Sequence, residues 1–599
     1  MLLGYLEFVA LLLLPGAAFM ELFRLGGDLS LTERLGLAFG LSMALDVLVL
    51  AVRTSGFSSS LLGIDATTLG AMLGVSVLAF AAAFALRRKV SFYVKPSRDD
   101  VIVLALVAVQ ALLVLVHFSK YPIFPQFQSA DFSQHVLITA DLQAGRAAMF
   151  PGGLLYYGVH LLMGSLVALS GDLVLLATQY AMGTLTALSP LLVFLAVDSL
   201  TQSRRVGLIA SALYVATGFV WFGSVFDAGL YANFYGVLSI LLLFSLVPAV
   251  IKSPRSPGLW LAFVIALGSG YLSHYSFVTI IPALLALPVA VFAVERKLSW
   301  PALAIPAVVL IPGVIGAVLR PDLVTLLLQF AQMNGGPSTG DTFLSQFLAG
   351  WPVLRFVVVE IANDIASVAT LALAALGVYV AIRSRNPGVW MVTVWLAALL
   401  AVAPITVGAW RFSYMALVPL LIVAALGFDW LGPHGDERAT RQRSKMRYRR
   451  DTNRYRTGLL AVVFLLLVVN SWSWSLLADA ANNGAPNSDI QHGLLKAMGW
   501  MNSTLPAGSQ IVSVTSAYIL YYQLLYTKPA GYAPLATPDD VVAASAASGS
   551  KAPTYVVLTT VGTVTVPDPS QSPFTLYPKD SRFHMQYNDS GVAIFKLGV

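Results

Sequence analysis

Asp131 and His135 lie four residues apart in a loop crowded with the aromatics Tyr121, Phe124, Phe127 and Phe132. If the stretch is helical, the two side chains share one face. A carboxylate there can take a proton from a hydroxyl, or hold a divalent cation against a phosphate. A solvated loop acid beside a hydrogen-bonded histidine is the plainer alternative. Asp141 and Arg146 follow in the same loop. Asp227, within Val225-Phe-Asp-Ala-Gly-Leu-Tyr-Ala-Asn-Phe-Tyr235, is the only acid between Asp198 and Glu295. It could equally cap a helix. Arg411, in Ala409-Trp-Arg-Phe-Ser-Tyr414, offers a planar fork that suits a phosphate, or snorkels to an interface. His274 and Glu360 fall in or near apolar runs, where ionisable groups serve either function or helix packing. The chain has no cysteine, which excludes thiol catalysis, disulfides and cysteine metal sites. It also lacks a His-Glu-x-x-His, a Walker loop and a Gly-x-Ser-x-Gly motif.

The elements that position these residues are set by lipid. Of 599 residues, 57% are hydrophobic and 11% charged, which no soluble fold of this length matches. About fourteen apolar runs approach the ~20 residues needed to cross a bilayer. They are roughly 2–20, 33–53, 68–86, 100–117, 172–199, 207–223, 235–251, 258–273, 276–294, 300–319, 354–382, 388–406, 413–431 and 458–477. The runs are continuous rather than alternating, so they read as helices and not as a barrel. The break between 258 and 294 is the least sharply marked, because Gly268, Gly270 and Pro282 all fall there.

Charge then fixes direction. The +7 net charge is no nucleic-acid signature: nine of the 36 Lys and Arg residues sit in the loop 432–457. Placing 87–98, 200–206, 252–256, 295–297, 383–386 and 432–457 in the cytoplasm gives a consistent parity. Both termini and the loops 118–171, 224–234, 320–353 and 407–412 then lie outside, in a multi-pass cell-membrane protein. Segment 152–171 is apolar, but Pro151-Gly152-Gly153 precede it and His160 interrupts it. Counting it as a span would turn Arg204-Arg205 outward, so the expectation is a helix lying on the outer interface.

After residue 478 polar and small residues increase. Ile511–Val514, Tyr555–Thr560 and Val592–Lys596 read as strands, His492–Met501 as a helix, and Lys528-Pro529-Ala530-Gly531 as a turn. Sequons at Asn502 and Asn588 suit an outside location. The expected fold class is an all-α polytopic membrane protein with a small C-terminal extracytoplasmic α/β domain. Its parts are extra N-terminal helices (1–99), a transmembrane core with outer catalytic loop 118–171 (100–477), and the outer domain (478–599).

The arrangement resembles the C-type (GT-C) membrane glycosyltransferases, including archaeal oligosaccharyltransferase catalytic subunits and dolichyl-phosphate-sugar mannosyltransferases. The resemblance covers residues 100–599. Ala130-Asp-Phe-Ser-Gln-His135, followed by Ala140-Asp-Leu-Gln-Ala-Gly145, is similar to the family's first outer loop. Phe150-Pro-Gly-Gly-Leu-Leu-Tyr-Tyr-Gly-Val-His160 resembles the proline-bearing helix after it, and Asp227 falls at the second outer acid. Trp410-Arg-Phe-Ser-Tyr414, with Pro419 and Gly427, resembles the span whose arginine meets a donor phosphate. Gly499–Gly508 resembles the segment that opens the outer domain. The Trp-Trp-Asp-Tyr-Gly signature of oligosaccharyltransferases is missing, with Val512-Ser-Val-Thr-Ser-Ala-Tyr518 in its place.

The resemblance implies a polyprenyl-phosphate-linked sugar donor, with Asp131 as base or metal-linked carboxylate, Asp227 as second carboxylate and Arg411 as phosphate clamp. His135, Asp141, His274 and Glu360 are further substrate-binding candidates. The acceptor would be a hydroxyl of a glycan, lipid or protein, and the missing signature argues against en bloc N-glycosylation. A Mg or Mn ion on Asp131 and Asp227 is left open. A transporter or flippase, and a non-catalytic scaffold, are the competing readings.

Overall fold

The computed structural model describes the chain except for residues 1, 55–62, 88–94, 121–129, 144–156, 173, 218–224, 226–229, 320–367, 403–408, 432–485, 516–529, 534, 549–551, 560–569, 571, 590 and 599. The described residues form a helical bundle and a small C-terminal α/β unit. Seven helices are long and apolar enough to cross a membrane, and six shorter apolar helices accompany them.

The expected N-terminal span is formed by α1 (Leu2–Leu11) and α2 (Leu14–Phe23), together long enough to cross a membrane, with a short break just before Pro15. Then come α3 (Leu31–Thr54), α4 (Ala66–Arg87), α5 (Arg98–Lys120), α6 (Ala130–Gln143) and α7 (Gly158–Ser170). The core continues with α8 (Val174–Thr201), α9 (Arg204–Ala216), α10 (Tyr231–Lys252) and α11 (Pro257–Tyr271). A 3-10 turn at Tyr275–Ile280 leads into α12 (Ile281–Glu295), α13 (Trp300–Leu319), α14 (Val368–Arg383), α15 (Pro387–Val402) and α16 (Ala409–Leu431). The expected span 458–477 lies outside the described residues.

Local chemistry sets these boundaries. Ser203 caps α9 and Ser256 caps α11, each side chain accepting a backbone N–H from the first turn. Within α8, Pro190 cannot donate to the carbonyl of Thr186, and the Ser189 hydroxyl donates there instead at 2.7 Å. Helices α3, α8 and α10 form the buried centre. On α4 and α5 the outward side chains are apolar and exposed: Val75 at 66%, Leu78 at 70% and Leu112 at 59%. Water does not favour such a surface and lipid does.

One expectation is refined. The described part of segment 152–171, helix α7, packs inside the bundle: residues 158–167 are all buried, between α1, α3, α6, α8 and α10. The polar His160 that suggested an amphipathic helix faces another helix instead of water.

The C-terminal unit comprises α17 (Pro486–Thr504), β1 (Gln510–Ser513), β2 (Ala530–Tyr532), α18 (Pro538–Ala547), β3 (Thr554–Thr559), α19 (Pro573–Leu576), β4 (Phe583–Asp589) and β5 (Val592–Leu597). The sheet order is β2-β1-β3-β5-β4, parallel through β2, β1 and β3 and antiparallel beyond. Every residue of the central strand β3 is buried, as expected of a parallel strand covered on both faces. Ala530 and Gly531, expected in a turn, belong instead to β2.

Candidate active site at one end of the bundle

Helix α6 carries Asp131 in its first turn and His135 one turn later. His135 is 2% exposed, and its carbonyl accepts a hydrogen bond from the Thr139 hydroxyl at 2.8 Å. His135 Nδ1 lies 2.7 Å from Nε2 of His160, which is fully buried on α7. One ring donates and the other accepts, so the pair holds a shared N–H inside the protein. The Tyr231 ring at the start of α10 stacks on His135, with centroids 5.0 Å apart at 26°. Tyr157 meets His160 edge-on at 6.3 Å. Three helices and the residue before α7 thus meet on two imidazoles.

The start of α7 is tied down separately. Gly158 N–H donates to the carbonyl of Leu272 at 2.8 Å. A Cβ at Gly158 would stand 2.9 Å from the Tyr235 ring and 3.0 Å from that carbonyl, so only glycine fits. The bond brings the end of α11 against α7. His274, two residues after Leu272, is buried, and its carbonyl accepts the Phe277 N–H at 2.9 Å. Tyr235 also hydrogen-bonds Ser269 of α11.

Arg411 lies in the first turn of α16. One turn later, Met415 Sδ lies 3.9 Å from Nδ2 of Asn233, in the first turn of α10 beside Tyr231. The beginnings of α10 and α16 therefore converge near the histidine pair. Asp141 is half-buried and lies ~120° around α6 from His135. Asp227 and Glu360 fall outside the described residues. Among the described residues no three His, Asp or Glu side chains gather in a metal-binding group.

The opposite end holds the basic turns. Arg204 pairs with Glu33 at 2.9 Å, and Arg205 with Asp429 at 2.8 Å. Asp100 accepts from both the backbone and the hydroxyl of Thr32. Lys252 bonds Gln202. The charged patches at 200–206 and 252–256 thus share one end with the starts of α3 and α5. Tyr231, at the other end of α10 from Lys252, belongs to the far end.

Sequence reasoning missed three of these groups. Tyr231 carries no local signal, and His160 shows only as a polar break in an apolar run, because their partner is remote in sequence. Asp46 did carry one, as a lone acid in the apolar run of α3. It is completely buried, and among the described residues neither carboxyl oxygen has a hydrogen-bond partner. It stands within electrostatic range of Tyr235.

No family profile and no curated protein matches the chain. Solved structures similar to it include ArnT from Cupriavidus metallidurans bound to undecaprenyl phosphate, and the same protein in the apo state. The first has 14% identity and a TM-score of 0.49, covering 82% of this chain and 97% of that one. For the second the values are 13%, 0.48, 83% and 97%. Likenesses this loose carry no inference.

Proposed function

We infer that this chain is a membrane glycosyltransferase of the GT-C type. It moves a sugar from a polyprenyl-phosphate-linked donor to an acceptor hydroxyl of a glycan, lipid or protein. The reading rests on the motif resemblance and on one observation above all: His135, stacked on Tyr231, and Met415, against Asn233, bring the helices bearing Asp131 and Arg411 to the same first turn of α10.

The chemistry follows from these positions. Asp131 takes the acceptor's proton as its oxygen attacks the anomeric carbon. The bond from that carbon to the phosphate oxygen breaks, the lipid phosphate departs with the electron pair, and the anomeric centre inverts. Arg411 pairs with the growing phosphate charge through its guanidinium fork. His135, one turn from Asp131 and joined to His160, gives the proton a path away from the site. Asp227 supplies a second carboxylate. If a Mg or Mn ion binds here, Asp131 and Asp227 would hold it, and it would supply positive charge to the departing phosphate. His274 and Glu360 are assigned to substrate contacts, and Asp141 to the rim.

In this reading the basic end is cytoplasmic. The site, both termini and the C-terminal α/β unit face outward, where the lipid-linked donor is presented. The test is transfer from a β-linked polyprenyl-phosphate sugar by the purified protein in lipid, with the product analysed for anomeric configuration. An α-linked product formed only with added acceptor is expected. Retention of configuration, or movement of intact donor between leaflets without cleavage, would overturn the reading.

A further inference from the structure

At the basic end, a cavity of about 260 Å³ opens between the C-terminal ends of α8, α10 and α12 and the turn before α15. It is smaller than the roughly 300–1,000 Å³ of sites that enclose drug-sized ligands, and is of headgroup size. Its rim carries Lys252 and Arg385 beside Glu295. Among the described residues none of these three forms an ion pair. Its inner wall is apolar, from Val247 and Ile251 of α10 and Val291 of α12. Beside Glu295 on α12, Phe292 is exposed at 49%, so the opening borders a surface suited to lipid.

The two signs of charge select the ligand. A simple anion would meet Lys252 and Arg385, but also Glu295 and the negative dipole ends of three helices, which repel it. A simple cation meets the reverse problem. A zwitterion with a phosphate at one end and a primary ammonium at the other satisfies both. We propose that this cavity binds the headgroup of a phosphatidylethanolamine. Its phosphate lies on Lys252 and Arg385, its ammonium donates to Glu295 and the helix-end carbonyls, and an acyl chain runs along the apolar wall. The site lies at the end of the bundle opposite the histidine pair, so it is separate from the proposed transfer reaction.

The test is lipid retention on the purified full-length protein, measured by native mass spectrometry. Phosphatidylethanolamine, phosphatidylglycerol and phosphatidylcholine of identical chains are titrated in turn. Phosphatidylethanolamine is expected to be retained at about tenfold lower concentration than the other two. Phosphatidylglycerol lacks the ammonium, and the methylated amine of phosphatidylcholine has no N–H to donate. Glu295→Gln is expected to erase the advantage over phosphatidylglycerol. Arg385→Gln is expected to weaken both. Excess glycerophosphoethanolamine is expected to leave the lipid in place, because it has no chain to hold against the wall. Equal retention of the three lipids overturns the proposal, as does a preference untouched by Glu295→Gln. Displacement by the soluble ester would reassign the cavity to a water-soluble phosphoester. None of these readouts depends on sugar transfer.

Discussion

His135 Nδ1 stands 2.7 Å from His160 Nε2, joining α6 to α7 with both rings buried. This contact positions the helix that bears Asp131 in its first turn. It also explains why a short, polar-interrupted segment can be buried on every side: its polar atom is satisfied by another helix.

His160→Phe keeps the volume of an aromatic ring but removes the partner of His135 Nδ1. A buried polar atom that loses its partner costs about 1–3 kcal/mol. The unfolding midpoint should fall accordingly, and turnover should fall with it as α6 loses its anchor. A midpoint and a turnover both equal to wild type would show that the pair positions nothing.

Arg411→Ala removes the proposed phosphate contact. A charged hydrogen bond is worth about 1.5–3 kcal/mol. At about 1.4 kcal/mol per tenfold, that predicts a loss of roughly ten- to hundredfold in kcat/KM for the donor. The acceptor's KM should hardly move. Steady-state kinetics with each substrate varied in turn check this.

Helices α14 and α16 touch backbone to backbone. A Cβ on Gly377 would lie 1.8 Å from the Val423 carbonyl oxygen, and one on Gly427 2.0 Å from that of Leu373. Small residues permit such close packing in membranes. Gly377→Ala must separate the helices, at a cost of about 1–3 kcal/mol. Because α16 carries Arg411, donor use should weaken too, although residue 377 is far along the chain. Thermal unfolding in detergent and donor kinetics measure the two effects.

The C-terminal unit has a pH dependence of known sign. Arg582 donates to Asp580 at 2.6 and 2.9 Å, and holds its carboxyl below the ordinary range. The backbone and hydroxyl of Thr537 do the same for Asp540 at the start of α18. A folded pKa below the unfolded one contributes stability that is full above about pH 4 and is lost as pH falls through the folded value. Amide protection factors in β4 and α18, taken against the intrinsic rate at each pH, should therefore fall on acidification through that range. Arg582→Gln should be less protected than wild type near neutrality and converge with it in acid. A gap between the two proteins that widens in acid would contradict the assignment.

Much of the bundle was legible because lipid imposes a length and a composition that a sequence displays directly. The span expected at 300–319 became α13 unchanged, and the one expected at 258–273 became α11, Pro257–Tyr271. The break in 258–294 fell between Tyr271 and Tyr275, where the split had been set. The sheet was half legible. Strands β1, β3 and β5 are apolar runs, whereas β2 has three residues and β4 is a mostly polar edge, so neither has the pattern of a buried strand. The site was legible as single residues and not as contacts. Asp131 and His135 are adjacent on a helix and could be paired by spacing. His160, Tyr231 and the Asn233–Met415 contact depend on how distant helices pack, which no local period encodes.

The most direct measurement is release of polyprenyl phosphate from radiolabelled polyprenyl-phosphate sugars by the purified protein in lipid, with Asp131→Asn beside wild type. The account predicts release by wild type that requires an acceptor. It predicts none above background from Asp131→Asn, although that variant still binds the donor. Full release by Asp131→Asn would contradict Asp131 as the base. The absence of release by folded wild type from every common donor would contradict the glycosyltransferase itself.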